Sequence, residues 1–202
     1  MVTKIADWEE VVKFHGHSCM GLAMGYKVAE AALKVLGSER DVDEELVAVV
    51  ENDNCSLDAI QYVTGCTMGK GNLIFKDYGK PVYTFSLRPG GKSLRLVARG
   101  LDDQKISGLQ ELRQKVISGE ADEQVKKMFA EKIAEALQIF LHTPAEETVD
   151  MQWVEQDIPE KARIFNSIIC ESCGEKVMEP RARVKEGKMV CLPCAEHYES
   201  RI

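Results

Sequence analysis

The stretch Glu45-Leu-Val-Ala-Val-Val-Glu-Asn-Asp-Asn-Cys-Ser56 decides how the first part of this chain is interpreted. Its apolar half, Glu45–Val50, predicts a buried strand. Its second half is rich in helix-capping residues, and Leu57–Val63 is predicted to be helical. Cys55 therefore stands where a strand gives way to a helix. In open sheets that contain parallel strands, residues at the carboxyl ends of strands commonly line a ligand-binding crevice.

The rest of the chain supplies more helices and strands around this stretch. Helices are predicted at Asp7–Phe14, Met20–Leu36, Leu109–Ile117 and Glu123–Leu141, and strands at Leu73–Phe75, Pro81–Leu87, Leu94–Arg99 and Thr148–Val154. The last helix carries an apolar stripe that is predicted to face the core. The stripe consists of Val125, Met128, Phe129, Ile133, Ala136, Leu137, Phe140 and Leu141. Together these elements predict an α+β domain with a mixed sheet flanked by helices over residues 1–160, then a small second domain over 161–202.

Composition and charge exclude several classes of protein. With 45% hydrophobic and 29% charged residues, the chain is typical of a folded, soluble domain. Residues 161–202 hold eight Lys/Arg and six Asp/Glu, a net charge of +2, whereas the remainder (18 basic, 27 acidic) carries −9. This acidic body argues against broad binding to nucleic acid or to anionic lipid.

The distribution of apolar residues predicts a cytoplasmic protein without a membrane span. No apolar run reaches about 18 residues, and the first residues lack the basic and apolar regions of a secretory signal. Seven cysteines in a reducing compartment indicate metal or redox chemistry rather than disulfides.

Two Cys-x-x-Cys pairs near the C-terminus predict a structural zinc site. The four ligands are Cys170, Cys173, Cys191 and Cys194. Two residues between the cysteines of a pair let both thiolates reach one cation, and the 17 residues between the pairs leave room for a hairpin. A hairpin is predicted at 184–190 and a closing helix at 194–200, an order that resembles a treble-clef zinc finger.

A second candidate site begins at His15-Gly16-His17-Ser18-Cys19. In extended backbone, residues two apart point the same way, so two imidazoles and a thiol would lie on one side. These are ligand types suited to zinc or a similar transition metal.

Three further residues are predicted to join this second site. Cys55 would lie at a helix N-terminus, where free amides lower the pKa of a thiol and favour either metal ligation or nucleophilic attack. Asp58, one turn further on, could orient a histidine. Cys66 in the loop 65–72 could complete or edge the same cavity. That loop does not match a phosphate-binding P-loop, although its amides and Lys70 could receive a smaller anion.

Residues 14–23, 51–61 and 64–72 closely resemble the E-subunit family of formylmethanofuran dehydrogenase, and the zinc finger resembles that of its longer members. Met20 departs from the family motif, which usually has proline after the cysteine. The resemblance implies a thioredoxin-like core, a treble-clef tail, and an active site built from His17, Cys19 and Cys55 with His15, Asp58 and Cys66 nearby. It also implies an association with a molybdenum- or tungsten-dependent oxidoreductase.

Three functions follow as hypotheses. The first is a metal- or thiol-dependent enzyme or accessory subunit in anaerobic one-carbon or molybdenum-enzyme metabolism, with structural zinc in the finger and a second transition metal, zinc first among the candidates, at the N-terminal site. The second is a non-catalytic docking protein or carrier of a metal or cofactor. The third is a nucleic-acid-binding regulator, which the acidic body disfavours. A homodimer is expected, since small mixed sheets often pair their edges.

Overall fold

The structure is a computed structural model that describes residues 5–101 and 106–195. The described residues fall into two compact units, which divide between Lys161 and Ala162. Within the described part of the chain, none of the helices is both long and apolar enough to cross a membrane.

The larger unit contains six helices and five strands among its described residues. The helices are α1 (Trp8–His15), α2 (Met20–Leu36), α3 (Ser56–Thr64), α4 (Leu109–Ile117), α5 (Glu123–His142) and α6 (Ala145–Thr148). The strands are β1 (Leu46–Val50), β2 (Leu73–Phe75), β3 (Val82–Leu87), β4 (Ser93–Ala98) and β5 (Val149–Val154). The predicted α+β class with a mixed sheet is confirmed.

The five strands form one sheet in the order β2-β1-β3-β4-β5. Strands β1 and β2 run parallel, with Ala48 opposite Leu73, and the other neighbouring pairs are antiparallel. Strand β1 is buried along its whole length because it lies inside the sheet, and this explains its continuous apolar sequence. This order does not establish a thioredoxin-like core, which stays a prediction.

Helix α2 packs closely against α3, and this contact fixes the region that holds the candidate site. A Cβ added to Gly25 would lie 2.1 Å from the carbonyl oxygen of Ser56, so only glycine allows this approach. At the next contact towards the N-terminus of α2, a Cβ on Gly21 would lie 3.2 Å from Cβ of Cys55. The two glycines thus bring the first turns of both helices together.

Helix α5 differs from the prediction in how much of it the core covers. Of the predicted stripe, only Ala136, Leu137 and Phe140 are buried, all in the C-terminal half of the helix. The N-terminal half packs beside α4, and α4 itself has no buried residue. The prediction that the whole stripe faces the core was therefore wrong, because periodicity shows which face is apolar but not how far along the helix the core extends.

The smaller unit consists of two short ribbons and turns around its cysteines. Strands β6 (Ser167–Ile169) and β7 (Lys176–Met178) pair antiparallel, as do β8 (Arg183–Lys185) and β9 (Lys188–Val190). The β8–β9 ribbon lies in the predicted hairpin, whereas the β6–β7 ribbon was not predicted. The closing helix expected at 194–200 lies, after Ala195, outside the described residues, so the treble clef stays a prediction.

Candidate metal centres

The ends of three helices present the side chains of the N-terminal site. His15 is the last residue of α1, and Gly16 after it adopts a left-handed φ of 97° that turns the chain away from the helix. Cys19 is the N-cap of α2 in extended backbone, and its sulfur accepts a hydrogen bond from the amide of Leu22 at 3.4 Å. Cys55 is the residue before α3. The site is thus built at helix ends, where the backbone is free to change direction.

His15, His17 and Cys19 come together as a group that could hold a metal ion. A ring nitrogen of each histidine and the sulfur of Cys19 all lie within 4.8 Å of one another. The two imidazole rings are neighbours, with their centroids 4.5 Å apart. One cation could contact all three atoms after small side-chain rotations.

Asp58 fixes the orientation of His15. The Nδ1 atom of His15 lies 2.7 Å from a carboxylate oxygen of Asp58, and the imidazole is largely shielded from solvent, with 10% of its side chain exposed. Its other nitrogen, Nε2, is buried and has no hydrogen-bond partner among the described residues. An unpartnered buried polar atom is costly, and a bound cation would remove that cost.

These donors fit a transition metal on chemical grounds. A neutral imidazole whose second nitrogen binds a carboxylate is the usual form of a metal-bound histidine. Two imidazoles and a thiolate suit zinc and its neighbours rather than magnesium or calcium, which prefer oxygen ligands. The residues present at this site therefore match the second metal that the sequence predicts.

Cys55 lies beside this group, but its thiol is not one of the three mutually close ligands. Burial raises the pKa of Cys55 above the ordinary thiol value, and the charge of Cys19 and a hydrogen bond to its thiol raise it further. The expectation that the helix N-terminus lowers this pKa was therefore wrong for the metal-free side chains, because desolvation outweighs the helix dipole.

The structure does not bring Cys66 to the site. Cys66 follows the C-terminal end of α3, whereas Cys55 precedes its N-terminal end. Its thiol is fully buried and lies 3.4 Å from the carbonyl oxygen of Leu46, to which it donates a hydrogen bond. Burial raises the pKa of Cys66 to about 12. Cys66 packs as a small core residue.

The loop after Cys66 is likewise occupied by its own contacts. Lys70, considered above as a partner for an anion, lies with Nζ 3.1 Å from a carboxylate oxygen of the buried Asp41. Asn72 donates to the same carboxylate at 3.0 Å, and this carboxylate also accepts the amide of Leu46. The loop is a polar latch on the start of β1.

The four cysteines of the smaller unit form the second centre. The sulfurs of Cys170, Cys173, Cys191 and Cys194 lie within 4.8 Å of one another, and those of Cys173 and Cys191 are 3.9 Å apart. Tetrahedral zinc with bonds of about 2.3 Å separates its sulfurs by about 3.8 Å, so the group matches zinc closely.

The backbone around these cysteines also favours thiolates. Gly174, with a φ of 78°, donates its amide to the carbonyl of Cys170 at 2.8 Å and closes the first knuckle. The amide of Cys191 donates to the sulfur of Cys170 at 3.3 Å. Backbone N–H groups of Cys173 and Cys191 lower the pKa of Cys170 to about 6. Structural zinc fits this cluster.

Two features near the N-terminal site were missed from the sequence. Gly25 sets the distance between α2 and α3, and the four-residue step from Gly21 to Gly25 on one helix face was the signal that could have revealed it. A buried polar contact joins the hydroxyls of Ser56 and Tyr83, and Ser56 also donates to Asn52 at 3.2 Å. No local pattern predicts this contact, since Tyr83 is distant in sequence.

Comparisons with known proteins agree with this description. Residues 14–150 match a family model described as FmdE, molybdenum formylmethanofuran dehydrogenase operon, and residues 163–200 match a prokaryotic dksA/traR C4-type zinc finger. A solved structure of an FmdE-like protein of tungsten formylmethanofuran dehydrogenase, from Syntrophus aciditrophicus, shares the fold. Its TM-score is 0.62, with 22% sequence identity over 92% of this chain and 88% of that one.

A curated relative from Archaeoglobus fulgidus, described as a probable S-adenosyl-L-methionine-binding protein, is 35% identical over 193 residues, or 92% of this chain. The chain spans about half the length of that relative, 51%. The match to the first family model covers more than half of the present chain. On that match, together with the four-cysteine cluster, the chain belongs to the FmdE family and carries a C4-type zinc finger after the family domain.

Proposed function

We propose that the N-terminal site binds a transition metal, zinc first of all, and that this centre carries the function of the chain as a metal-dependent enzyme or accessory subunit. The observation that carries the proposal is the buried, unpartnered Nε2 of His15, whose Nδ1 is held by Asp58 beside His17 and Cys19. A buried imidazole aimed at two further donors has no evident structural purpose without a cation.

The three donors leave room for a fourth ligand. When bound there, the metal would act as a Lewis acid or activate a water molecule. Asp58 keeps the proton on Nδ1 of His15, so that Nε2 can donate its lone pair. Cys55, against Cys19, either supplies the fourth ligand and closes the centre, or stays free as a nucleophile beside it.

Metal content per chain tests the proposal. Protein purified without oxygen should hold about two zinc ions, and His17→Ala and Cys19→Ala should each hold about one, because the finger keeps its own. His142→Ala and Cys66→Ala are the matched controls, since neither residue belongs to a ligand group, and both should keep about two. One zinc in the wild type and in every variant would overturn the proposal.

Alkylation separates the two roles of Cys55. If Cys55 is a ligand, zinc should protect its thiol from iodoacetamide in the Cys66→Ala background, where no other thiol of the larger unit except Cys19 remains. Equal rates with and without zinc would assign Cys55 to the free, nucleophilic role instead.

The family supports a narrower proposal about context. The FmdE model is described by the molybdenum formylmethanofuran dehydrogenase operon, so we place this chain beside a molybdenum or tungsten oxidoreductase in anaerobic one-carbon metabolism, in the cytoplasm and as a homodimer. A tagged chain in its native anaerobic host should co-purify molybdenum or tungsten in a fixed ratio. Repeated absence of both metals would favour an independent enzyme.

The Archaeoglobus fulgidus relative favours a second candidate, the binding of S-adenosyl-L-methionine, because its match extends over 92% of this chain. Isothermal titration of S-adenosyl-L-methionine into the zinc-loaded protein tests it. One-site binding would support this candidate, and no heat at millimolar ligand would assign the activity to the other half of that relative.

A further inference from the structure

A cavity of about 300 Å³ lies in the larger unit, away from the ligands described above. Helix α2 supplies one wall through Met20 and Met24, and α4 and α5 supply the others. The backbone just after β4, from Arg99 to Leu101, completes the described lining. This volume is at the small end of the range for sites that hold small molecules.

The walls are apolar and adaptable. The apolar lining residues are Met20, Met24, Leu101, Ile106, Leu109 and Ala136. Two of them are methionines, whose unbranched thioether side chains adjust to ligands of different shape. Such walls favour the apolar body of a ligand rather than a hydrated ion.

The charged lining is entirely positive among the described residues. Arg99 and Arg113 contribute to the cavity, and no described acidic residue lines it. This is unusual for a domain whose sequence carries a net charge of −9 over residues 1–160. A positive lining in an acidic protein concentrates an anionic ligand at that point.

The two arginines differ in how they are held. Arg99 donates to a carboxylate oxygen of Asp150 at 3.0 Å and to the carbonyl of Glu146 at 3.2 Å, so its guanidinium is fixed and partly neutralised. Arg113 is exposed, and within residues 5–101 and 106–195 it makes no hydrogen bond or ion pair. Arg113 is therefore the cation with its full hydrogen-bonding capacity available.

We propose that this cavity binds a small organic anion, with its apolar body between Met20, Met24 and Leu109 and its carboxylate or phosphate on Arg113. The planar guanidinium can donate two parallel hydrogen bonds to either anion. Because Met20 directly follows Cys19, a ligand here would lie at the first turn of α2, next to the proposed metal centre. The binding itself uses none of the metal ligands.

The probes are 2-naphthoate, its neutral isostere 2-naphthamide and 2-naphthyl phosphate, each titrated into the zinc-loaded full chain by calorimetry. We expect one site for 2-naphthoate and an affinity about tenfold lower for 2-naphthamide, since a hydrogen bond to a charged group is lost. A higher affinity for the phosphate or for the carboxylate identifies which anion the site prefers. Binding of neither anion, or equal binding of the amide, would overturn the proposal.

Variants locate the anion. Arg113→Gln should weaken 2-naphthoate binding about tenfold, and Arg113→Lys about threefold, since lysine keeps the charge but not the fork. Lys92→Gln, an equal charge change at an exposed position outside the cavity, should leave the affinity unchanged. Equal loss in Lys92→Gln, or none in Arg113→Gln with an unchanged melting temperature, would contradict the assignment to Arg113.

One further variant separates this proposal from the metal centre. His17→Ala, which should lose the metal of the N-terminal site, is expected to bind 2-naphthoate with the wild-type affinity. Loss of binding in that variant would place the probe on the metal and overturn the cavity as its site.

Discussion

At the scale of single residues, Asp58 decides which nitrogen of His15 is available to a cation. Replacing Asp58 with asparagine should lower the zinc affinity of the N-terminal site about 10- to 100-fold, because the amide no longer holds the proton on Nδ1 as strongly as the carboxylate does. The affinity is measured by anaerobic competition with a chromophoric chelator. Asp53→Asn, an exposed neighbour on the same loop, is the matched control and should leave the affinity unchanged. Equal affinities for wild type and Asp58→Asn would show that the 2.7 Å contact has no part in metal binding.

Cys66 gives a prediction about alkaline pH. Its folded-state pKa is raised to about 12 from the ordinary thiol value of 9.0, so the folded protein keeps the thiol protonated at a pH where the unfolded chain loses the proton. The stabilisation is complete below the unfolded pKa and is lost as the pH rises towards 12. In that window wild type should lose up to about 1.4 kcal/mol per pH unit more than Cys66→Ala.

Urea unfolding in reductant at pH 8, 9, 10 and 11 measures this difference. The two tryptophans, Trp8 and Trp153, both lie in the larger unit, so their fluorescence reports the unfolding of the part that contains Cys66. Other titrating groups are shared by the two proteins and cancel in the comparison. Parallel pH profiles would show that the thiol is not desolvated in solution.

The residues of the candidate site were within reach of sequence reasoning to different degrees. His15, His17 and Cys19 are close in sequence, so their types and spacing alone indicate a ligand group. Cys66 is near the same glycine-rich segments in sequence, yet a helix of nine residues separates it from Cys55. The arginines of the cavity could not be predicted, because α4 and the end of β4 meet only in the folded chain.

At the scale of elements, the contact between α2 and α3 carries the geometry of the site. Gly25→Ala would place a Cβ 2.1 Å from the backbone oxygen of Ser56 and force the helices apart. Alanine favours a helix over glycine by about 1 kcal/mol, but overpacking against backbone costs about 1–3 kcal/mol or more. We expect a net loss of about 1–2 kcal/mol in the free energy of unfolding and a weaker N-terminal metal site.

Tryptophan-monitored urea unfolding and zinc competition measure the two effects of Gly25→Ala. Gly69→Ala is the matched control, because its Cβ would meet nothing within 4 Å and its backbone needs no left-handed φ. It should match wild type in both measurements. A Gly25→Ala protein as stable as Gly69→Ala would mean that the helices separate without cost.

Most elements of the larger unit were predictable because each carries its own local signal. The bounds of α2 and α4 match the predicted ranges, and β1, β3 and β4 differ from theirs by single residues at the ends. The short helix α6 was missed, since four residues are too few to show a period. The burial of α5 could not be read from its periodicity, because it depends on which elements lie over each half.

At the scale of the whole molecule, the two units rely on different sources of stability. The larger unit has a continuous core on its sheet, with Tyr83, Phe85 and Leu96 fully buried. In the smaller unit the described core cluster contains only three buried residues, Cys170, Val190 and Cys191, and two of them are proposed zinc ligands. So small a core cannot offset the conformational entropy of its chain, and metal binding supplies the folding energy.

Cys170→Ala should therefore release the zinc of the finger and unfold residues 162–202, while the larger unit stays folded. Limited proteolysis is expected to remove the C-terminal segment of the variant and leave a resistant fragment that ends near Lys161. The free energy of unfolding by tryptophan fluorescence should stay within about 0.5 kcal/mol of wild type, the range of a substitution away from the core. Ser172→Ala, exposed in the same knuckle, should keep both its zinc and its resistance. If Cys170→Ala instead lowered the stability reported by Trp8 and Trp153 by several kcal/mol, the larger unit would depend on the finger, and the zinc would stabilise the whole chain rather than its last forty residues.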